Sequence, residues 1–282
     1  MRSLGARVAV WRERAGRGSI GLLALLGVGI LAGLLLLGRD LLGSEDLTWQ
    51  AMQRRGSWRV GMDPSFPPFE MLDGTGQPVG LDVDLARAMA QEWGLELEIV
   101  SLGFDGLVDA LLAGKIDSVV SALPYDPRLT QDIAYSPPYF EAGVRLVVPQ
   151  GSPIQDVQGL AGMRVAVEWG SAGDAVGRRL RREEPSIQLI LRPSPEEAVA
   201  ALLAGDADAL LIDGVTLGLA QARGAAIQAV GPPLESDPYV IALPLDAPVL
   251  QERVRAALVS LRESGALARL EARWFASPEM TP

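Results

Sequence analysis

The most constraining feature of this chain is that it repeats itself. Arg59-Val60-Gly61-Met62-Asp63 returns as Arg164-Val165-Ala166-Val167-Glu168. Ala110-Leu111-Leu112-Ala113-Gly114 with Asp117 returns as Ala201-Leu202-Leu203-Ala204-Gly205 with Asp208, in the same order. A short apolar match arises easily by chance, but two in one order point to two similar lobes. Around them strand and helix patterns alternate. Leu81–Trp93 has helical spacing and ends at Gly94, a predicted C-cap. Leu95–Leu102 alternates like a strand, Phe104–Ala113 reads as a helix stopped by Gly114, and Ile116–Ser121 reads as a buried strand. The architecture this predicts is α/β with largely parallel sheets.

In open α/β sheets ligands sit beyond the carboxyl ends of the strands. The repeat therefore singles out Asp63 and Glu168, each after the first strand of its lobe. It also singles out Ser121-Ala122 and Ile212-Asp213, each after a later strand. Gly170-Ser171-Ala172-Gly173 leads into a predicted helix over Asp174–Glu183. The free N–H groups and positive dipole end of such a helix favour a carboxylate or phosphate, and the glycine spacing is not a dinucleotide fingerprint. The loop after the first strand, Asp63-Pro64-Ser65-Phe66-Pro67-Pro68-Phe69-Glu70, is stiffened by three prolines. It suits either the holding of a small polar molecule or the burial of Phe66 and Phe69 in a core.

Composition removes whole classes of chemistry. The 282 residues contain no cysteine and no histidine, and Lys115 is the only lysine. Thiolate chemistry, most zinc sites and the usual hydrolase triads are excluded, and no cofactor is predicted. Of the 25 basic residues, Arg2, Arg7, Arg12, Arg14, Arg17 and Arg39 lie in residues 1–43 with only Glu13 and Asp40 opposing them. The rest is strongly acidic and has no basic stripe, so nucleic acid is excluded as a partner. Ile20–Leu37 is an uncharged apolar run of about 18 residues behind five arginines. It reads as an uncleaved signal-anchor or, alternatively, a cleaved signal peptide; either places the region from about Ser44 outside the cytoplasm.

Several blocks in order carry a resemblance: RVGMDPSFPPFE from Arg59, GLDVDLARAMA from Gly80, FDGLVDALLAGKIDSVVSAL from Phe104, AYSPPYFEAGVRLVV from Ala134, RVAVEWGS from Arg164, DALLIDG from Asp208 and YVIALP from Tyr239. Together, from about Trp58 to Phe275, they resemble the bacterial extracellular solute-binding proteins, family 3, which serve polar amino-acid ABC transporters. The resemblance implies a two-lobed type II periplasmic-binding-protein fold, with two crossing hinge strands near Glu141–Val144 and Ser236–Tyr239. Residues 1–43 would precede a linker over 44–56, lobe one would comprise 57–142 and 237–282, and lobe two 143–236. The expected function is capture of a small polar solute, an amino acid, by hinged closure of a monomer for delivery to an ABC permease. An alternative is a ligand-sensing module for a separate signalling partner. Another is a cyclohexadienyl or arogenate dehydratase-like enzyme on the same fold.

The resemblance also assigns roles. Phe66 and Phe104 would pack on the ligand side chain, and Arg128 would fork onto its α-carboxylate. Ser171 and the Ala172 N–H would share that carboxylate, and Asp213 would take the α-ammonium. Ser121 and Ala122 would line lobe one. Asp63 and Glu168 would read the side chain, favouring a basic or amide group. The plainer alternatives are a turn-organising Asp63, a solvated Arg128 or Glu168, and Asp213 as a helix N-cap. Trp169 reads as either a pocket wall or lobe packing, and Glu70 as structural. One departure stands out. Ser121-Ala122-Leu123-Pro124-Tyr125-Asp126-Pro127-Arg128 is one residue shorter than the family pattern, with Pro124 where Thr or Ser is usual. Proline has no N–H to offer a carboxylate, so the site is expected to be weaker or differently built there, with Tyr125 as a replacement hydroxyl.

Overall fold

Each copy of the repeated strand becomes an interior strand, second from one edge, of a five-stranded sheet. A computed structural model describes residues 46–276, and the body from Leu47 onward is one compact unit. The signal-anchor segment predicted at 20–37 lies outside the described residues. Among the described residues no helix is long and apolar enough to cross a membrane.

Helix α1 (Leu47–Arg55) comes first and occupies most of the stretch read as a linker. Its nine residues carry little helical patterning, but Trp49 and Met52 are buried, and that tertiary burial decides the conformation. Strand β1 (Ser57–Met62) follows, then a small antiparallel sheet of β2 (Ser65–Phe66), β3 (Glu70–Leu72) and β4 (Pro78–Val79). Helix α2 (Leu81–Trp93) ends on Gly94 in the left-handed conformation, φ 68°, as the pattern predicts. Strand β5 (Glu96–Ser101), helix α3 (Leu107–Leu112), β6 (Ser118–Val119) and β7 (Ile133–Tyr135) complete the first pass through lobe one.

The chain then crosses on β8 (Phe140–Glu141) into lobe two: β9 (Val144–Pro149), β10 (Arg164–Glu168), α4 (Ala172–Glu183), β11 (Gln188–Arg192), α5 (Pro195–Leu203), β12 (Ala209–Asp213), α6 (Gly214–Ala222) and β13 (Ile227–Val230). It returns on β14 (Pro238–Tyr239), adds β15 (Ala242–Pro244) to the first sheet, and closes with α7 (Pro248–Glu263) and α8 (Ala266–Phe275). The sheets run β5-β1-β6-β15-β7 and β11-β10-β12-β9-β13. In each, the repeated strand lies parallel between two neighbours, and a strand arriving from the crossing lies antiparallel.

Both sheets are covered on both faces, which is why their strands read as nearly continuous apolar runs. In lobe two Val165, Val167 and Leu211 enter one cluster, while Ala166, Leu210 and Ile212 enter the other. The repeat packs differently where its letters differ. A Cβ on Gly61 would lie 2.5 Å from Ile116 Cδ1; at the equivalent places lobe two has Ala166 and Ala207, which share a cluster. At the sheet ends opposite the ligand side, Arg59 donates its N–H and guanidinium to Asp117, with Arg55 joining, and Arg164 does the same to Asp208.

The crossing strands pair antiparallel, Glu141 opposite Pro238 and Phe140 opposite Tyr239. The Glu141 carboxylate clasps them, accepting from Gly143 N (3.0 Å), Asp237 N (2.8 Å) and Ser236 Oγ (2.7 Å). Burial and the Glu141 charge raise the Asp237 carboxyl. Gly143 lets the strands meet, since a Cβ there would lie 2.0 Å from Glu235 O. Gly143→Ala is expected to cost about 1–3 kcal/mol and to lower the melting temperature by about 2–4 °C per kcal/mol; calorimetric unfolding measures it. A second contact joins the lobes. Val215, Leu219 and Ala222 of α6 pack on the lobe-one core, and Gly218 lies under the Phe275 ring, 2.7 Å from where its Cβ would be.

Candidate functional site

Lobe two gathers its predicted residues into one hollow. Glu168 ends β10, Ser171 caps α4, Ala172 begins it, and Asp213 ends β12; all four line a cavity of about 70 Å³. The local sequence explains the arrangement. Ser171 Oγ accepts from Asp174 N (3.1 Å) and donates to Glu168 O (2.8 Å), fixing the turn between strand and helix. Gly173 lets that helix start close to β12, for a Cβ there would be 2.5 Å from Leu211 O. The first N–H groups of α4 thus reach the strand ends with no helical partner, a positive feature between two acids. Asp213 caps α6 through Thr216 N (2.8 Å) and Thr216 Oγ1 (2.7 Å). It is N-cap and strand-end acid at once. Trp169 is 70% exposed and does not pack inside the lobe.

Lobe one is arranged differently. Asp63 directly follows β1, and its Oδ2 accepts the Phe104 N–H at 2.9 Å, at the start of the short helical turn Phe104–Gly106. Phe104 is 43% and Phe66 44% exposed. Phe66 stacks on the fully buried Phe69 at 5.7 Å and 11°, and meets the edge of Tyr239 at 6.5 Å. The Phe-rich loop therefore divides its aromatics, Phe69 to the core and Phe66 to the surface.

Two of the predicted residues turn polar groups into the lobe. Ser121 is completely buried; its hydroxyl donates to Glu70 Oε1 (2.8 Å) and accepts from Asp63 N (3.0 Å). Ala122 is 5% exposed, and its N–H goes to Asp82 Oδ2 at 2.6 Å. The Ser121 hydroxyl and the Ala122 N–H are thus engaged by the interior of the lobe. Ala122 is also strained, with φ 41° in the left-handed region.

Arg128 is not aimed at these residues either. Its guanidinium forks onto Asp126, with Nη2 2.6 Å from Oδ2 and Nε 2.9 Å from Oδ1, and its side chain is 86% exposed. This bond draws the Asp126 carboxyl below its usual range. The shortened loop has a structural outlet: Pro124 bridges Tyr239 on the crossing strand, while Tyr125 N donates to Pro238 O (3.0 Å) and Val240 N to Leu123 O (2.9 Å). Proline is tolerated there because its neighbours supply the hydrogen bonds. Tyr125 stays 44% exposed, edge-on to Tyr135 at 5.0 Å. Glu141, the clasp of the crossing, is a residue that sequence reasoning missed. Its signal is the acid followed by Ala142-Gly143 at the predicted hinge.

Two doubly covered α/β lobes, joined by paired crossing strands and carrying acids at matching strand ends, define a hinged type II solute-binding fold. Residues 58–277 match the bacterial extracellular solute-binding proteins, family 3, and the chain belongs to that extracytoplasmic family. The lysine/arginine/ornithine-binding periplasmic protein of Escherichia coli K12 is 29% identical over 226 residues, 77% of this chain and 86% of that protein. Among solved structures, a mutant of ArgBP from T. maritima is 33% identical with a TM-score of 0.51, over 82% of this chain and 100% of that one. An ancestral cationic amino acid solute binding protein, AncCDT-1, is 29% identical with a TM-score of 0.59, over 81% and 99%. These named relatives are binding proteins.

Proposed function

We propose that the chain captures a basic amino acid, arginine or lysine, and delivers it to an ABC permease without chemical turnover. The observation that carries this reading is the charge around the strand ends: Asp63, Glu168 and Asp213 supply three carboxylates, against Arg128 and the N-terminus of α4. One carboxylate satisfies an α-ammonium, leaving negative charge for a cationic side chain. Phe66 and Phe104 supply exposed ring faces for its aliphatic stem or its cation. Arg128 meets the α-carboxylate by exchanging Asp126 for it, beside Ser171 and the Ala172 N–H. The names of the relatives agree with a cationic ligand. In this reading the apolar run at 20–37 tethers a monomer to the outer face of the cytoplasmic membrane.

Titration calorimetry on the detergent-solubilised full chain is expected to give arginine or lysine a dissociation constant of about 1 μM or tighter, with glutamine weaker. Prephenate and arogenate are expected to remain unconverted. Product formation from either would identify an enzyme instead, and absence of binding to any amino acid would overturn the proposal. Glu168→Gln is expected to weaken basic ligands about tenfold, the scale of one charge-assisted hydrogen bond, while leaving glutamine nearly unchanged. An equal loss for both ligands would remove Glu168 from side-chain recognition.

A further inference from the structure

Beneath the ligand-facing rim of lobe one lie two carboxyl groups that the proposed binding does not use. Glu70, at the start of β3, is 1% exposed, and Asp82, in the first turn of α2, is fully buried. Asp82 Oδ2 accepts from Ala122 N (2.6 Å) and from the Tyr139 hydroxyl (2.8 Å). Glu70 Oε1 accepts from Ser121 Oγ, which in turn accepts from Asp63 N. Glu70 Oε2 and Asp82 Oδ1 are left buried with no hydrogen-bond donor, and the two carboxyls are close enough for each to act on the other.

The titratable groups that act on this pair are Asp63, Tyr139 and Tyr239, all acids. No cation is among them. Two adjacent buried carboxylates cannot both stay ionised without one, and a single proton between the orphaned oxygens satisfies both atoms. The donor count says where it rests. Burial raises both carboxyls, but Asp82 receives two outside donors that favour its charged form and Glu70 receives one. Burial first, and then the Asp82 charge, push the Glu70 carboxyl up to about 11.

We propose that Glu70 stays protonated and donates through Oε2 to Asp82 Oδ1, and that this shared proton positions the lobe-one rim. Asp82 holds the strained Ala122 turn, and Glu70, through Ser121, holds the backbone of Asp63. Glu70 is a positioning residue, and the ligand part of the inference rests on the function proposed above.

A carboxyl whose folded-state value is raised contributes stability fully present below its ordinary value of about 4.5; that contribution is lost as pH rises toward 11. Glutamine keeps both hydrogen bonds and cannot ionise. In the full chain, Glu70→Gln is therefore expected to match the native melting temperature near pH 5 and to exceed it progressively toward pH 9. Its arginine affinity is expected within about threefold of native. Ser121→Ala cuts the link to Asp63 but leaves the proton, so it is expected to weaken arginine binding about tenfold without changing the pH slope of stability. A melting-temperature difference that is flat between pH 5 and 9 would remove the proton from Glu70. Native arginine affinity in Ser121→Ala would overturn the positioning role. If the native chain binds no basic amino acid, the function proposed above fails, and the pH slope still decides the proton.

Discussion

Asp213→Asn is expected to weaken amino-acid binding by about 30- to 1000-fold, equivalent to about 2–4 kcal/mol, while moving the melting temperature by no more than a few degrees. The two effects separate because Asp213 has two tasks. As N-cap of α6 it accepts from the Thr216 N–H and hydroxyl, and asparagine caps helices about as well as aspartate. As strand-end acid it would neutralise the ligand ammonium, which asparagine cannot do. Calorimetric titration beside thermal unfolding reads both quantities from one preparation. Unchanged affinity would confine Asp213 to its capping task. A matching loss of stability and affinity would mean that the helix end, rather than the charge, is what the ligand senses.

Phe69→Ala is expected to destabilise the protein by about 3–5 kcal/mol, a fall of about 10 °C in melting temperature for a body of this size. Phe69 is fully buried and meets Phe140 at 5.0 Å, Tyr239 at 5.2 Å and Phe275 at 5.9 Å, all edge-on, with Phe66 stacked at 5.7 Å. Alanine leaves a cavity that the crossing strands cannot close without losing their own pairing. It also removes the ring on which Phe66 rests, so ligand affinity is expected to fall alongside stability. Denaturant unfolding followed by tryptophan fluorescence measures the first effect; a loss under 1 kcal/mol would show that the aromatic cluster repacks.

What could be read from the chain was whatever depends on local pattern and repetition. Helix α2 ends on the glycine that predicted its end, and both repeated strands are interior to their sheets, because burial on two faces writes a continuous apolar run. The paired acids at the strand ends follow from the same repeat. What could not be read depends on partners far away in sequence. Ser121 and Ala122 occupy the expected strand end, yet a polar residue in that place looks the same whether it serves a ligand or an interior carboxylate forty or more positions earlier. Arg128 carries the right chemistry, but a single Asp126 two residues before it takes its fork. Helix α1 is hidden for the opposite reason: its own residues say little, and the burial of Trp49 and Met52 says the rest.

The contact between Gly218 and Phe275 sets the mechanics of the whole molecule. Helix α6 begins at Asp213, beside the lobe-two hollow, and runs along its flank onto the closing helix of lobe one. Phe275 also stacks on Phe140 of the crossing strand β8 at 5.5 Å, so the crossing and this contact form one continuous joint. The buried ring is held between Gly218 on one side and Phe140 and Phe69 on the other, so a side chain added at Gly218 would press directly on the crossing. Helix α8 thus braces the joint from which both lobes extend, like a keystone set behind the paired strands.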